Sequence, residues 1–200
     1  MSVIRAFIAI DIPDDVRARI SGVTHKLRQR LHAYPIRWVP PQNIHLTLKF
    51  LGDVSEHNLH TLTHLLAGEI KTHRPFEFSV GTLGAFPELR RPRVIWVGVE
   101  APDELLALQR GIDHAVSKLG YDRERRPYQP HLTLGRISRN ASSSEIRAIG
   151  QALQEINIGF LGSARATEVH LYRSDLHSQG AVYTRLFTAQ LNPDAPPAVA

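Results

Sequence analysis

The sequence predicts an α+β protein of two similar lobes, each an antiparallel sheet backed by helices. The first observation behind this fold class is an exact repeat, because His-Leu-Thr-Leu stands at residues 45–48 and again at 131–134. The second is that strand-like and helix-like segments alternate around each copy. The third is a composition, 42% hydrophobic and 22% charged over 200 residues, that is ordinary for a globular protein. A single mixed sheet and a ferredoxin-like split unit are the alternative architectures.

Strands are predicted where apolar residues alternate or run together, and helices where they recur every three or four positions. The predicted strands cover residues 3–10, 36–39, 44–51, 76–83, 93–100, 131–134, 166–172 and 183–191. The predicted helices cover residues 14–31, 55–72, 103–119 and 142–153. Gly52 is expected to end the first motif strand, and a turn at 178–180 is expected to join the last two strands.

The chain is predicted to form one bilobal domain over residues 1–191, followed by a flexible tail, 192–200, rich in Pro and Ala. Two loops of this domain are basic. The first covers residues 87–92, and the second covers 121–130 and leads into the second motif.

Charge and residue usage restrict the class of partner. A net charge of +5 favours an anionic partner, although a genome that prefers Arg codons would explain the same excess of basic residues. The chain has no cysteine, which excludes disulfides, thiolate nucleophiles and cysteine-based zinc sites. The apolar stretch 6–10 is too short to span a membrane, so we expect a cytoplasmic protein without membrane contact.

Three histidines, His57, His60 and His64, share the predicted second helix and suggest a metal site. At 100° per residue they lie opposite the leucine stripe of that helix. They are therefore predicted to be a solvated face rather than metal ligands.

In each motif strand the His and Thr share one face and the two leucines the other, because side chains alternate along a strand. Two imidazoles suit proton transfer near neutral pH, since one can accept a proton while the other donates one. The Thr hydroxyls can donate hydrogen bonds to oxygens held between them. If the two strands meet across a groove, four side chains converge there: His45, Thr47, His131 and Thr133. A phosphodiester, with two opposed reacting bonds, fits that arrangement.

Other roles for the motif residues are less well supported. A single His in a strand is more often structural, but the exact repeat favours a paired role for these two. Two His without nearby carboxylates make a poor ligand set, so neither a metal nor another cofactor is predicted. A nucleophilic Thr would need an oxyanion hole and an orienting acid, and neither is visible in the sequence.

The paired motifs, 86 positions apart (131 minus 45), resemble those of the two-histidine (2H) phosphoesterase superfamily. Further segments look like the RNA 2',3'-cyclic phosphodiesterase branch, also called 2'-5' RNA ligase. These segments are Arg5–Ile10, Arg37–Val39, Asn43–Gly52, Pro92–Trp96, Pro130–Arg136 and Leu171–Ser174.

The resemblance implies a bilobal fold with a pseudo-twofold axis, motif strands that line a central cleft, helices on the outside and no metal. It implies hydrolysis of a terminal RNA 2',3'-cyclic phosphate to a 2'-phosphate. By the family's assignment His45 is the proton donor and His131 the proton acceptor, while Thr47 and Thr133 hold the non-bridging phosphate oxygens. The same site run in reverse would join RNA ends through a 2'-5' bond. From the residues alone, acid and base stay unassigned because the motifs are locally identical.

Four further residues are expected near the substrate. Arg136 matches a family arginine near the nucleotide, although strict alternation places it on the leucine face unless a bulge occurs at Gly135. Phe7 and Tyr128 are candidates for stacking on a base, with core or rim packing as the alternative. Lys49 has the parity of the first-motif His and Thr and is expected to add positive charge to the cleft.

Three functions stay open at this point. They are hydrolysis of cyclic RNA ends, a related 2H activity on another nucleotide or 2'-5' linkage, and an RNA-binding module without turnover. Intact His and Thr in both motifs argue against the third. The expected partners are RNA or nucleotides with 2',3'-cyclic phosphate ends, and a monomer is expected.

Overall fold

The chain folds into two antiparallel sheets and four α-helices in a computed structural model that describes residues 2–177 and 180–198. The strands are β1 (Val3–Asp11), β2 (Ile36–Trp38), β3 (His45–Ser55), β4 (Phe76–Phe86), β5 (Val94–Glu100), β6 (His131–Ile137), β7 (Phe160–Ala166), β8 (Glu168–His177) and β9 (Gly180–Gln190). The helices are α1 (Asp14–Arg30), α2 (Leu59–Ile70), α3 (Asp103–Ser117) and α4 (Ser143–Gln154), with single 3-10 turns at Pro41–Asn43 and Glu56–Asn58.

Each sheet takes strands from both halves of the chain. The four-stranded sheet has the order β3-β1-β8-β9, and the five-stranded sheet has the order β2-β6-β5-β4-β7. All neighbouring strands are antiparallel. The two motif strands, β3 and β6, contact each other where the sheets meet. The predicted α+β class with two antiparallel sheets is confirmed.

The leucines of both motifs lie in the hydrophobic core. Leu46, Leu48, Leu132 and Leu134 are at most 3% exposed, and burial of a leucine side chain is worth about 1.5–3 kcal/mol. The His and Thr that alternate with them are only half-buried. The core thereby fixes which face of each motif strand is available for chemistry.

Three of the four helices begin within one residue of their predicted starts, whereas α2 begins at Leu59, after the 3-10 turn at Glu56–Asn58, and not at residue 55. The α4 helix starts with a capping box, in which the Ser142 hydroxyl accepts the Glu145 N–H and the Glu145 carboxylate accepts the Ser142 N–H. The α1 helix carries acidic residues in its first turn and basic residues in its last, which suits the helix dipole.

Some element boundaries differ from prediction. The first motif strand does not end at Gly52 but continues to Ser55, because Gly52 still pairs with Ala6 after a second β-bulge, and glycine accommodates the φ of +70° there. Strand β7 was not predicted. The predicted turn at 178–180 lies largely outside the described residues, since only Gly180 is described.

The three histidines of the second helical segment are exposed, as predicted. Within residues 2–177 and 180–198, no group of three or more His, Cys, Asp or Glu is arranged to hold a metal ion. None of the described helices is both long and apolar enough to cross a membrane. A cytoplasmic location stays a prediction.

The segment after β9 is attached to the body at its start. The Asn192 N–H donates to the His73 carbonyl at 2.8 Å, and Ala195 is buried. Flexibility therefore stays a prediction only for the part of the tail beyond Ala195, and the domain boundary at residue 191 stays a prediction as well.

Candidate active site

The two motif histidines are held by the same local contact. The Nδ1–H of His45 donates to the Asn43 carbonyl at 2.8 Å, and the Nδ1–H of His131 donates to the Gln129 carbonyl at 2.7 Å. A carbonyl can only accept, so Nδ1 carries the hydrogen and Nε2 is the basic nitrogen of each neutral ring. In the described part of the chain, neither Nε2 has a hydrogen-bond partner.

The motif threonines stand beside the histidines with their hydroxyls available. Thr47 and Thr133 are each half-buried, on the same strand face as the His two residues earlier. Neither hydroxyl bonds to another protein group among the described residues. Both can therefore donate to an anion in the cleft.

A β-bulge follows both motifs at the same position. In β3 the bulged residue is Leu48, because Ala9 pairs with Thr47 and Ile8 with Lys49. In β6 the bulged residue is Leu134, because Trp96 pairs with Thr133 and Ile95 with Gly135. An extra residue reverses the alternation of the side chains that follow it.

The bulges decide where the residues after each motif lie. Lys49 and Gly135 are turned into the interior, whereas Phe50 and Arg136 are exposed on the His and Thr face. The bulge that Arg136 needs in order to face the cleft is therefore present. The expectation from strict alternation for Lys49 is wrong, because the bulge at Leu48 turns its side chain away from the cleft.

Lys49 instead joins the first motif strand to the segment before the second motif. Its ammonium donates to the Asp113 carboxylate and to the Asp122 carbonyl, both at 2.5 Å. Asp113 also accepts the Glu124 N–H at 3.1 Å and contacts the Arg123 guanidinium at 3.4 Å. Burial alone would raise the pKa of Asp113, but these hydrogen bonds outweigh it and lower the pKa.

Tyr128 makes a second link between the motifs. Its hydroxyl donates to the Thr47 carbonyl at 2.9 Å, and burial raises its pKa. The side chain also lines the cavity beside His131. The hydroxyl of Tyr128 is thus bonded to the first motif strand, while its ring lines the cavity, and stacking of this ring on a base stays a prediction.

His45 lies in an aromatic enclosure. Phe7 stacks on its ring with centroids 4.6 Å apart, and Tyr183 approaches it edge-on at 5.3 Å. Burial lowers the pKa of His45 from 6.5 to about 4. Phe7 is itself 3% exposed, so it packs behind the imidazole and is not available to a base.

A carboxylate stands beside His45 in the neighbouring strand. Asp11 pairs with His45 across β1 and β3, and its charge raises the pKa of His45 against the larger effect of burial. Asp11 accepts the Tyr172 hydroxyl at 2.7 Å and the Arg185 guanidinium at 2.5 Å. These contacts fix the carboxylate, and burial together with the bond to Asp11 raises the pKa of Tyr172 to about 12.

His131 has a different environment. Phe86 contacts its ring edge-on at 4.8 Å, and the Trp96 ring lies 6.1 Å away. Burial lowers the pKa of His131, and the positive charge of Arg136 lowers it further. The charge of His131 in turn lowers the pKa of His45, so the two rings lie within electrostatic range of each other.

A cavity of about 910 Å³ opens beside His131 in the five-stranded sheet. Its aromatic lining residues are Phe86, Trp96, Tyr128 and Phe160. Ligand pockets have volumes of about 300–1,000 Å³, and aromatic walls suit nucleobases.

Sequence reasoning missed several residues around the motifs. Asp11, Tyr172 and Tyr183 surround His45 in space but lie in other strands, far from it in sequence. The segment that contains Tyr172 was among those that resemble the family, which is the only signal that pointed towards it.

Comparison with known proteins identifies the family. A profile described as LigT like Phosphoesterase matches the chain twice, over residues 10–96 and 97–183. An RNA 2',3'-cyclic phosphodiesterase of Methanothermobacter thermautotrophicus is 36% identical over 181 residues, which is 90% of this chain and 95% of that protein. The chain belongs to the LigT-like phosphoesterase family. The resemblance to the 2H phosphoesterases is confirmed, and so is the prediction of an enzyme of this class.

Solved structures of LigT-like phosphoesterases share the whole fold. The protein TT0787 of Thermus thermophilus superimposes with a TM-score of 0.78 at 28% identity, over 95% of this chain and 99% of that one. E. coli LigT complexed with 3'-AMP gives a TM-score of 0.73 at 29% identity, again over 95% and 99%. The two adjacent profile matches place a motif His 35 residues (45 minus 10) and 34 residues (131 minus 97) after their starts, which supports an internal duplication.

Proposed function

We propose that this phosphoesterase hydrolyses the 2',3'-cyclic phosphodiester at the 3' end of RNA to a 2'-phosphate and a free 3'-hydroxyl. The observation that carries the proposal is a pair of equally anchored imidazoles with charges of opposite sign beside them. Asp11 lies beside His45, and Arg136 lies near His131. The name of the Methanothermobacter relative and the 3'-AMP bound to E. coli LigT agree with this substrate class.

The neighbouring charges support different roles for the two histidines. A carboxylate beside an imidazole favours its protonated form, and a guanidinium favours its neutral form. His45 is therefore the better proton donor and His131 the better proton acceptor. Because burial keeps His45 neutral in the free protein, we expect the negative charge of the bound phosphodiester to raise its pKa before it acts as an acid.

The reaction proceeds as an in-line displacement at phosphorus. His131 Nε2 accepts a proton from water, and the water oxygen forms the new bond to phosphorus. The bond from phosphorus to the 3'-oxygen breaks on the opposite side, and His45 Nε2–H donates its proton to that oxygen. One water is consumed, and the proton gained by His131 equals the proton lost by His45.

The remaining residues hold the substrate. Thr47 and Thr133 donate hydrogen bonds to the two non-bridging oxygens, where negative charge increases in the transition state. Arg136 adds positive charge at the His131 side. The aromatic cavity beside His131 accommodates the base and ribose of the terminal nucleotide.

All groups needed for this reaction come from the protein, so we expect activity without a metal ion. The test is incubation of the purified protein with EDTA and an RNA oligomer that ends in a 2',3'-cyclic phosphate. Appearance of a 2'-phosphate end supports the proposal; this end is removed by a non-specific alkaline phosphatase, which does not act on the cyclic diester, and resists a 3'-specific phosphatase. Binding of the oligomer without any product would instead indicate an RNA-binding module.

Substitution of each motif histidine tests the assigned roles. We expect His45→Ala and His131→Ala each to lose about 10²–10⁴-fold in kcat, because each removes one proton-transfer group. His64→Ala, which removes an exposed imidazole on α2, is the matched control and should keep full activity. Unchanged turnover in either motif variant would refute the mechanism.

A further inference from the structure

A groove with four arginines lies beside the candidate active site. It has a volume of about 810 Å³ and runs between the loop of residues 87–93 and helix α4. We call it the arginine groove, after Arg90, Arg91, Arg93 and Arg147 in its lining. Among the described residues, no Asp or Glu lines it.

The positive charges of this groove are not neutralised by the protein. Arg90, Arg91 and Arg147 are exposed, and within the described ranges none of them lies within 4.0 Å of a carboxylate. Arg93 is partly engaged, because it donates to the Ser138 carbonyl at 3.1 Å. Glu88 belongs to the loop but not to the lining. Clustered guanidinium groups without counter-charges attract anions, and phosphates match their planar donors.

The walls of the groove are held in place without a ligand. A Cβ atom on Gly150 of α4 would lie 2.4 Å from the Leu89 carbonyl oxygen, so the loop packs directly on the helix backbone. Such a close approach requires glycine at this position. The backbone of the loop is therefore held against the backbone of α4, the helix that carries Arg147.

The groove adjoins the cavity beside His131. Pro87 lines both, and the preceding residue, Phe86, contacts the His131 ring. On the helix the lining includes Ser143, Arg147 and Gln154. The eleven steps from residue 143 to residue 154 (154 minus 143) extend about 16 Å along the helix axis, which matches about five stacked nucleotides at about 3.4 Å each.

We propose that the arginine groove binds the phosphate backbone of the single-stranded RNA that precedes the cyclic end. This inference rests on the proposed function and adds to it the surface that binds the several nucleotides upstream of the cyclic end. The terminal nucleotide occupies the cavity at His131, and the upstream nucleotides pass Pro87 and follow α4. Guanidinium contacts to phosphates do not depend on the base sequence, so the groove selects for strand length and charge.

The test compares two triple variants with the wild-type protein. The groove variant is Arg90→Gln, Arg91→Gln and Arg147→Gln, which leaves Arg93 and its bond to Ser138 intact. The control variant is Lys26→Gln, Lys71→Gln and Arg110→Gln, which removes the same charge from exposed positions that line neither the groove nor the cavity.

Each protein is assayed on a cyclic mononucleotide and on an RNA of about 12 nucleotides with a cyclic end. We expect the groove variant to lose about tenfold or more in kcat/KM on the oligomer and little on the mononucleotide, because about three phosphate contacts are removed. The slope of log kcat/KM against log salt should become shallower by about 2, at about 0.7 per lost contact. The control variant should stay close to wild type on both substrates.

Binding is measured separately from catalysis, by fluorescence anisotropy of a labelled RNA of the same length with an unreactive 3'-hydroxyl. Wild-type affinity in the groove variant would overturn the inference, and so would an equal loss in the control variant. If neither cyclic substrate is hydrolysed, the proposed function fails. The anisotropy measurement then still decides whether the groove binds RNA.

Discussion

The burial of His45 predicts a pH-dependent contribution to the folding stability that a side chain without a titratable group would remove. Phe7 and Tyr183 enclose the imidazole, and burial lowers its pKa from 6.5 to about 4. In the unfolded chain the ring is solvated and keeps its ordinary pKa. Between these two pKa values the unfolded chain binds a proton that the folded protein does not, so the free energy of unfolding falls as the pH is lowered.

The magnitude follows from proton linkage. The stabilising contribution of the neutral, buried ring is complete above about pH 6.5 and is lost as the pH falls towards about 4. Relative to about pH 7, the loss from this single group is about 2 kcal/mol at pH 5 and about 3 kcal/mol at pH 4, at about 1.4 kcal/mol per pKa unit.

The assay is urea unfolding of the wild-type protein and His45→Asn in phosphate-free buffers from about pH 7 to pH 4. The Asn amide keeps a donor for the Asn43 carbonyl but does not titrate. The difference in unfolding free energy should move in favour of the variant by about 3 kcal/mol over this range. His64→Asn controls for the loss of a surface imidazole. A difference that is constant with pH, or that moves in favour of wild type, refutes the reasoning.

Three further predictions concern the links between the motifs and the chemistry at the site. Asp113→Asn should lower the free energy of unfolding by about 3–5 kcal/mol in urea titrations, because it leaves the Lys49 ammonium buried without its charged partner. Adding Lys49→Met to this variant should recover much of the lost stability. Absence of any recovery would contradict this explanation of the loss. Tyr128→Phe removes one neutral hydrogen bond to the Thr47 carbonyl and should cost about 1 kcal/mol in the same assay; a loss above about 3 kcal/mol would show that more than this bond is affected. Initial rates against pH should give a bell-shaped profile of kcat/KM with its maximum below about 6.5, since burial lowers the pKa of both motif histidines. The alkaline limb of the kcat profile should lie at higher pH than that of kcat/KM, since the bound phosphodiester raises the imidazole pKa. Coincident alkaline limbs would count against a substrate-induced pKa rise.

Local patterns were sufficient for much of the fold. The spacing of Val16, Ile20 and Leu27 predicted α1, and the motif leucines predicted which strand face is buried, because both signals depend on the period of the element alone. Strand β7 was missed because Phe160–Ala166 combines Gly, Ser and Arg with few β-branched residues. The exchange of β2 and β8 between the sheets was not predicted, since strand pairing is non-local.

The part of the candidate site that comes from the repeated motif could be predicted from the sequence. The part that depends on the β-bulges could not. An exact copy of His-x-Thr was enough to select the four motif side chains. Lys49 was placed on the wrong face because a bulge leaves no local signature in the sequence, and its partner Asp113 lies 64 positions away. Phe7 was predicted as a candidate stacking residue for a base, whereas its actual partner is His45.

The bulges after the two motifs make the two halves of the site differ in charge. Five positions beyond each motif His, the two halves of the chain present different groups, a phenyl ring at Phe50 and a guanidinium at Arg136. An anionic ligand therefore meets different groups at the two ends of the site, which favours one orientation of the ligand over the other. Together with Asp11 beside His45, this pair of positions makes two His-Thr pairs of identical sequence inequivalent.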